Sequence, residues 1–330
     1  MHDFAYHRPA SLAELWPLVE NAGGPVSLLA GGTDLVPALK LETLRPAAVA
    51  DLKRCAELRP GVRDAPDGGL VVGATTTLHD LARSPLVRTA WPALAEAAAT
   101  VASYQIRNRG TVGGNLCLDT RCSYYNQSAF WRQEYPDCRK LGGGSCYVVP
   151  AGDGCHALSS SDLAPIMVAL EAGMEVAAAS GDRIVAAEAF LSGDGLRATV
   201  LQTGEVVTEV HLPPAAERRL VFRRFAQRET IDFPMLTVAA CAGPGGVRLV
   251  VGHVASRPLR SSAGEAALAG LLSEGLGAPG IVGDAVADEL RLTSSVRGAV
   301  SYKRRVLQTL VAGVAAELAT AANSSLGEGM

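Results

Sequence analysis

Four cysteines, Cys122, Cys138, Cys146 and Cys155, fall within one short segment of a 330-residue chain that contains seven cysteines. The gaps between them are 15, 7 and 8 residues, so no pair has the two-residue spacing of a zinc knuckle or a redox dithiol motif. Thiolates at such irregular spacing come together only if the segment folds around a bound group. We therefore predict a metal site here and favour an iron–sulfur cluster, which cysteine thiolates bind.

The same segment is rich in aromatic residues. Such side chains exclude water, which protects a cluster and helps to set its reduction potential. They are Tyr124, Tyr125, Phe130, Trp131, Tyr135 and Tyr147.

Structural zinc, disulfides and buried thiols are the alternatives for the cysteines. A reducing compartment and an odd total of seven cysteines argue against a disulfide framework. Isolated Cys55, Cys117 and Cys241 are interpreted as small core residues. Basic residues of the segment could offset thiolate charge, dock an acidic donor, or be solvated loop charges; they are Arg121, Arg132, Arg139 and Lys140.

Two glycine motifs could bind phosphate. A buried strand over 26–30 leads into Gly31-Gly32-Thr33-Asp34-Leu35, and a second turn is predicted over 108–115, ending Gly113-Gly114-Asn115. Each motif offers backbone amides and a side-chain donor, Thr33 or Asn115, to a diphosphate. Paired glycines are more often ordinary tight turns, and Asp34 or Asp162 could simply cap a helix.

Other nucleotide and catalytic motifs are lacking. Gly275 to Gly280 matches G-x-G-x-x-G, but it follows a helical segment and Pro279 removes an amide, so we predict a loop rather than a Rossmann site. The sequence contains no P-loop, G-x-S-x-G or H-E-x-x-H motif. We therefore expect no substrate chemistry from this chain alone, and no catalytic residue is assigned.

Charge and composition narrow the class of partner. The formal charge is −3 without a basic stripe, which argues against nucleic acid. The first nine residues lack the apolar run of a signal peptide, and no stretch of 18 apolar residues follows. A cytoplasmic protein without membrane association is the expectation.

The predicted elements alternate between helices and strands. Ser11 and Glu14 form a capping box for a first helix that Pro17 should kink or shorten. The C-terminal part has strands over 220–225, 237–242 and 247–254. Helices follow these strands, the last with its apolar face at Val306, Leu310, Val314 and Leu318 and with frayed residues from Ala321.

Three motifs of this chain resemble the flavin-binding medium subunit of molybdenum hydroxylases such as xanthine dehydrogenase and carbon monoxide dehydrogenase. The motifs are Leu29-Ala30-Gly31-Gly32-Thr33-Asp34-Leu35, Thr111-Val112-Gly113-Gly114-Asn115 and Ser161-Asp162-Leu163-Ala164-Pro165. The resemblance implies that both glycine motifs hold the FAD diphosphate and that Asp162 lies near the ribityl and ring region.

The resemblance also implies an α+β fold with a non-Rossmann, two-subdomain FAD-binding region and a C-terminal α+β domain. We place the first FAD-binding subdomain at 1–56 and the second at 57–215, with a cysteine-rich insertion at 116–160. The C-terminal domain is expected at 216–325 and a flexible tail at 326–330.

The insertion resembles the β subunit of 4-hydroxybenzoyl-CoA reductase, whereas ordinary medium subunits join the second and third motifs by only a few residues. That resemblance implies a 4Fe-4S cluster on Cys122, Cys138, Cys146 and Cys155. It also implies a molybdenum-cofactor large subunit, a 2Fe-2S small subunit and a ferredoxin-like electron donor. An oxidative molybdenum hydroxylase subunit and a zinc-stabilised scaffold are the alternatives.

Overall fold

The structure, a computed structural model, describes residues 1–229, 231–275, 277–292 and 298–327, with 321–327 as backbone alone. Its strands are β1 (Ala5–His7), β2 (Val26–Leu29), β3 (Ala48–Asp51), β4 (Val62–Asp64), β5 (Leu70–Gly73), β6 (Gly173–Ala177), β7 (Arg183–Ala186), β8 (Leu191–Asp194), β9 (Arg197–Thr199), β10 (Val206–Leu212), β11 (Arg219–Phe225), β12 (Leu236–Gly243), β13 (Gly246–Gly252) and β14 (Leu259–Arg260). Its helices are α1 (Leu12–Asn21), α2 (Leu35–Leu41), α3 (Leu78–Arg83), α4 (Pro85–Ala90), α5 (Pro92–Thr100), α6 (Tyr104–Arg107), α7 (Val112–Leu116), α8 (Ala129–Arg132), α9 (Ala164–Ala169), α10 (Ala187–Phe190), α11 (Ser262–Glu274), α12 (Pro279–Glu289) and α13 (Val300–Gly327).

The N-terminal unit is a three-stranded parallel sheet in the order β1-β3-β2. Helix α1 packs on it through buried Leu12 and Leu15, and the Ser11 hydroxyl accepts the Glu14 N–H at 3.2 Å, as the capping motif predicts. The expectation that Pro17 shortens α1 is wrong, because the helix continues to Asn21. One proline removes one N–H donor, and the buried face of the helix outweighs that loss.

The second unit is an antiparallel sheet in the order β4-β5-β10-β6-β7. Helices α3, α5 and α9 bury its apolar side around Trp91, Leu94 and Ile166. Helix α7, which carries the second glycine motif, contributes Val112 and Leu116 to this same core.

The C-terminal unit is an antiparallel sheet in the order β11-β12-β13-β14, covered by α11, α12 and α13. The three predicted strands are confirmed. Val314 and Leu318 of the last helix are buried against this sheet, while Val306 and Leu310 are partly buried. The helix α13 continues to Gly327 and so includes part of the segment predicted to fray from Ala321, while residues 328–330 lie outside the described chain.

The predicted α+β fold is confirmed by this mixture of sheets and helices. Gly275, Gly277 and Ala278 of the 275–280 motif lie between α11 and α12, with Gly275 in the left-handed region at φ 62° and Leu276 outside the described residues. The prediction of a loop is wrong for Pro279 and Gly280, which begin α12, because proline is well accommodated in the first turn of a helix. Within the described ranges, no helix combines the length and apolar character needed to span a membrane.

The cysteine insertion (116–160) has little regular structure of its own. It contains α8 and one 3-10 turn, Arg139–Leu141. At its neck, the backbone N–H of Arg121 donates to the Leu158 carbonyl and the N–H of Leu158 to the Arg121 carbonyl, each at 2.8 Å. All four clustered cysteines lie in the loop that this bridge closes.

Candidate functional site

The two glycine motifs touch backbone to backbone. A Cβ atom at Gly31 would lie 1.9 Å from the Arg109 carbonyl oxygen, so only glycine permits this approach. Gly32 has φ 75°, a left-handed conformation that turns the chain from β2 into α2. The first motif is therefore the predicted strand, turn and helix start.

The second glycine motif differs from the prediction. It follows α6 rather than a strand, and its glycines lie in α7, where the Thr111 hydroxyl accepts the Gly114 N–H at 3.1 Å. Gly113 packs closely on Ala74, the residue that follows β5, since a Cβ at Gly113 would lie 2.8 Å from the Ala74 Cβ.

Asn115 joins the second motif to the third. Its side-chain oxygen accepts the Ser161 hydroxyl at 2.8 Å and the Leu163 N–H at 3.2 Å. The Ser161 hydroxyl in turn accepts the Ala164 N–H at 3.0 Å, at the first residue of α9, whose N-cap position is Leu163. Asn115 thus fixes the spacing of two motifs in addition to any donor role.

The motifs surround one cavity of about 460 Å³, here called the central cavity, which is of the size of small-molecule and cofactor pockets. Of the twelve predicted cofactor residues, Leu29 and Gly113 do not line it. Leu29 lies beneath Gly32, and Gly113 packs on Ala74. The lining includes Ala30, Gly31, Gly32, Thr33, Asp34, Leu35, Thr111, Gly114, Asn115 and Asp162.

Neither Asp34 nor Asp162 caps the helix that follows it. Asp34 makes no side-chain bond to the first turn of α2 and is ion-paired with Arg121. Asp162 is buried, and Arg224 Nε lies 3.4 Å from its Oδ1. Burial raises the pKa of Asp162 to about 6 although Arg224 opposes the shift. Both carboxylates face the cavity instead of their helices.

Part of the cavity lining was not predicted from the sequence. Val101 and Ala102 follow α5, and Ile231, Asp232 and Phe233 come from the C-terminal unit. Phe233 is 41% exposed and stacks under the Arg121 guanidinium at 4.6 Å. No motif marks these residues, because they reach the cavity through long-range packing.

Cys146 has the environment of a stabilised thiolate. Its side chain is 7% exposed, and burial pushes its pKa upward. The backbone N–H groups of Val149, His156 and Val148 oppose this rise. Together with the nearby Arg139 charge they bring the pKa of Cys146 below its ordinary value.

Cys155 lies beside the tip of the β8–β9 hairpin. A Cβ at Gly195 would lie 2.9 Å from its sulfur and 2.2 Å from its carbonyl oxygen. Lys140, whose side chain is 5% exposed, donates to the Gly195 carbonyl at 2.8 Å and to Asp119 at 2.8 Å. Burial raises the pKa of Cys155, and the Lys140 charge opposes that rise. A buried cation therefore stands beside the thiols.

The spacing of the sulfurs bears on the kind of metal. Thiols of Cys122, Cys146 and Cys155 are close enough to interact electrostatically, and all four are free. No three of the four, all of them described residues, have sulfurs within 4.8 Å of one another. Thiolates around one zinc ion stand about 3.8 Å apart, as Zn–S bonds of about 2.3 Å require. The arrangement is wider than a single-ion site.

The insertion is anchored to the first unit through α2. The Arg132 guanidinium donates to the Leu41 and Glu42 carbonyls, at 3.3 and 2.9 Å, and the Tyr125 hydroxyl to the Thr43 carbonyl at 3.2 Å. These carbonyls belong to the C-terminal end of α2, where acceptors are free. Arg132 is therefore an anchor, not a charge offset for the thiolates.

The aromatic residues of the insertion form a cluster of their own. Rings of Tyr124, Trp131, Tyr135 and Tyr147 pack with centroids 4.8 to 6.3 Å apart. The Tyr124 N–H donates to the Cys122 sulfur at 3.4 Å, which places this group of aromatic rings against one cysteine. Phe130 is 79% exposed and does not contribute to the predicted cover.

Comparison with known proteins agrees with this architecture. The family described as "FAD binding domain in molybdopterin dehydrogenase" matches residues 2–215. The FAD-binding subunit PaoB of an Escherichia coli K12 aldehyde oxidoreductase is 33% identical over 81% of this chain and 86% of its own length. The carbon monoxide dehydrogenase medium chain of Hydrogenophaga pseudoflava is 29% identical over 81% of this chain and 80% of its own length.

A solved structure extends the match to nearly the whole chain. That of Hydrogenophaga pseudoflava carbon monoxide dehydrogenase superposes with a TM-score of 0.76, covering 97% of this chain and 98% of its own at 28% identity. The fold, the central cavity and these similarities lead to one conclusion. The chain belongs to the FAD-binding domain family of molybdopterin dehydrogenases and is the FAD subunit of a molybdenum hydroxylase-type complex.

Proposed function

We propose that this chain relays electrons between a 4Fe-4S cluster in the cysteine insertion and FAD in the central cavity. The observation that carries the proposal is the loop closed by the Arg121–Leu158 bridge, which gathers four free cysteines, among them buried Cys146, whose pKa lies below its ordinary value. Hydrogen bonds to sulfur are a means by which proteins tune iron–sulfur clusters.

The central cavity fits FAD by its shape. Gly31 keeps Cβ atoms away from the contact of the two motifs, and Thr33, Thr111 and Asn115 supply polar groups at the same wall. The diphosphate would lie against this wall, bound by backbone amides. Asp162, paired with Arg224, would face the ribityl and ring region.

The number of cysteines in the insertion suits a 4Fe-4S cluster. Cys122, Cys138, Cys146 and Cys155 supply four sulfur ligands, with spacing wider than zinc requires. Buried Lys140 and the Arg139 guanidinium offset the charge of the thiolates. When bound, the cluster exchanges single electrons and FAD one or two, so FAD is the natural intermediate of the relay.

For the whole complex we propose a reductase of the 4-hydroxybenzoyl-CoA reductase type. Two electrons and two protons would convert the phenolic C–OH of an aromatic CoA thioester to C–H, with release of water. That reaction would occur at molybdenum on a large subunit, supplied through a 2Fe-2S small subunit and a ferredoxin-like donor. The support is the 45-residue interval between the second and third motifs and its cysteine pattern.

An oxidative molybdenum hydroxylase is the second candidate. It is favoured by the names of the similar proteins, which include subunits of an aldehyde oxidoreductase, a carbon monoxide dehydrogenase and a xanthine dehydrogenase. In that case the electrons would leave the complex through the same cysteine insertion. The residues of this chain would bind the same groups in either direction.

Metal and flavin analysis tests the relay. An anaerobic visible spectrum, with iron, sulfide, zinc and flavin assays, should give about four irons and one FAD per chain. Zinc, or no metal, with FAD retained would overturn the cluster.

The direction of electron flow is tested on the intact complex. Reduced ferredoxin-like donor and 4-hydroxybenzoyl-CoA should yield benzoyl-CoA. Absence of that product, together with oxidation of an aldehyde or purine by an added acceptor, would favour the oxidative candidate and overturn the reductive one.

A further inference from the structure

Arg121 is the residue of the cysteine insertion that enters the central cavity as a cation. Among the described residues that line this cavity it is the single lysine or arginine. The other charged groups of the lining are carboxylates, and FAD brings two further negative charges with its diphosphate. The carboxylates of the lining are those of Asp34, Asp119, Asp162 and Asp232.

Two of these carboxylates are neutralised from behind the cavity wall. Lys140 lies 2.8 Å from Asp119, and Arg224 lies 3.4 Å from Asp162, yet neither cation lines the cavity. Asp34 follows the first glycine motif directly and is paired with Arg121. Its side chain is 33% exposed, and burial raises its pKa against the pull of Arg121.

The guanidinium of Arg121 is held in place but not saturated. The neck bridge with Leu158 fixes its backbone, and the Phe233 ring lies 4.6 Å below its guanidinium carbon. Its Nε–H is buried and, within the described part of the chain, has no hydrogen-bond partner. Because Nε is closed off from the cavity, the donors left for an anionic ligand are those of Nη1, which makes no hydrogen bond to another described residue.

We propose that Arg121 is an FAD-binding residue, whose charge offsets Asp34 at the first glycine motif so that the diphosphate can approach. The cysteine insertion thereby completes the flavin site, in addition to carrying its own cysteines. This inference rests on the placement of FAD in the proposed function.

The test measures FAD affinity of the complex after removal and readdition of FAD, followed by flavin fluorescence. Arg121→Gln should weaken FAD binding at least about tenfold, because an uncompensated carboxylate then faces the diphosphate. Arg121→Lys should lose less, since it keeps the charge without the planar fork. The matched control is Arg132→Gln, which loosens the same insertion at α2 but removes no group from the central cavity.

Asp34→Asn in the Arg121→Gln background should restore most of the lost affinity, because the repulsive charge is gone. Equal FAD affinity in Arg121→Gln and Arg132→Gln would overturn the proposal, as would no recovery in the double variant. Iron is assayed in every sample. Absence of iron from the wild-type complex would overturn the cluster relay alone, since FAD affinity is measured separately.

Discussion

The central cavity and the cysteine insertion are built by different means. Around the cavity, backbone packs on backbone at Gly31 and Gly113, over a core that includes Trp91 and Leu94. The insertion has one buried aromatic residue, Tyr125, and is held by hydrogen bonds and ion pairs. The cavity is therefore preformed by the fold, whereas the insertion depends on polar contacts and on the metal that we propose for it.

The severest test of the preformed cavity is Gly31→Val. A side chain there meets the Arg109 backbone, which cannot move aside, at a cost of roughly 3 kcal/mol or more. FAD content should fall to near zero while iron content is less affected. Gly270→Ala, where nothing lies within 4 Å of the added Cβ, is the control and should keep full FAD. Full FAD in Gly31→Val would contradict a backbone-built site.

The converse change is Cys146→Ser in the insertion. Loss of the stabilised thiolate should abolish the iron signal in electron paramagnetic resonance and leave FAD bound, because the cavity does not depend on this residue. Cys241→Ser, a buried cysteine on β12, serves as control and should retain both groups. Simultaneous loss of iron and FAD would show that the two regions are not separable as we describe.

Asp162 makes the free energy of unfolding of the chain depend on pH. Its pKa in the folded chain is about 6 against an ordinary 3.8, so the folded state binds this proton more tightly than the unfolded state. Its contribution to stability therefore falls as pH rises from about 4 to about 6. Relative to Asp162→Asn, the FAD-free wild type should lose about 2 kcal/mol between pH 4.5 and 7.5. Urea unfolding at both pH values measures this; a constant difference would contradict it.

The smallest effect concerns Gly195 beside Cys155. Gly195→Ala places a Cβ 2.2 Å from the Cys155 carbonyl oxygen and 2.9 Å from its sulfur, so the hairpin tip must shift, which should speed iron release to a chelator about tenfold, with FAD unchanged. Gly154→Ala, next to the same cysteine but with open space, is the matched control. Equal release rates would mean that the hairpin tip does not support the cluster.

The sequence by itself determined the first glycine motif and the strands of the C-terminal unit, while the α+β fold was implied by the family resemblance. These follow from local rules, since apolar runs, capping residues and glycines act within a few neighbouring residues. It also determined that four cysteines share one loop. The second glycine motif was misjudged as a turn because Thr111 caps a short helix, a contact that a glycine pattern does not distinguish.

Only the tertiary structure decided which side chains meet. Arg121 with Asp34, Asp162 with Arg224, and Phe233 with the cavity are separated by many residues in sequence. The charges of the insertion had several possible roles, and Arg132 proved to be an anchor while Lys140 is buried. Such pairings depend on the relative placement of sheets and helices, which long-range packing of the cores sets and which no local pattern of residues encodes.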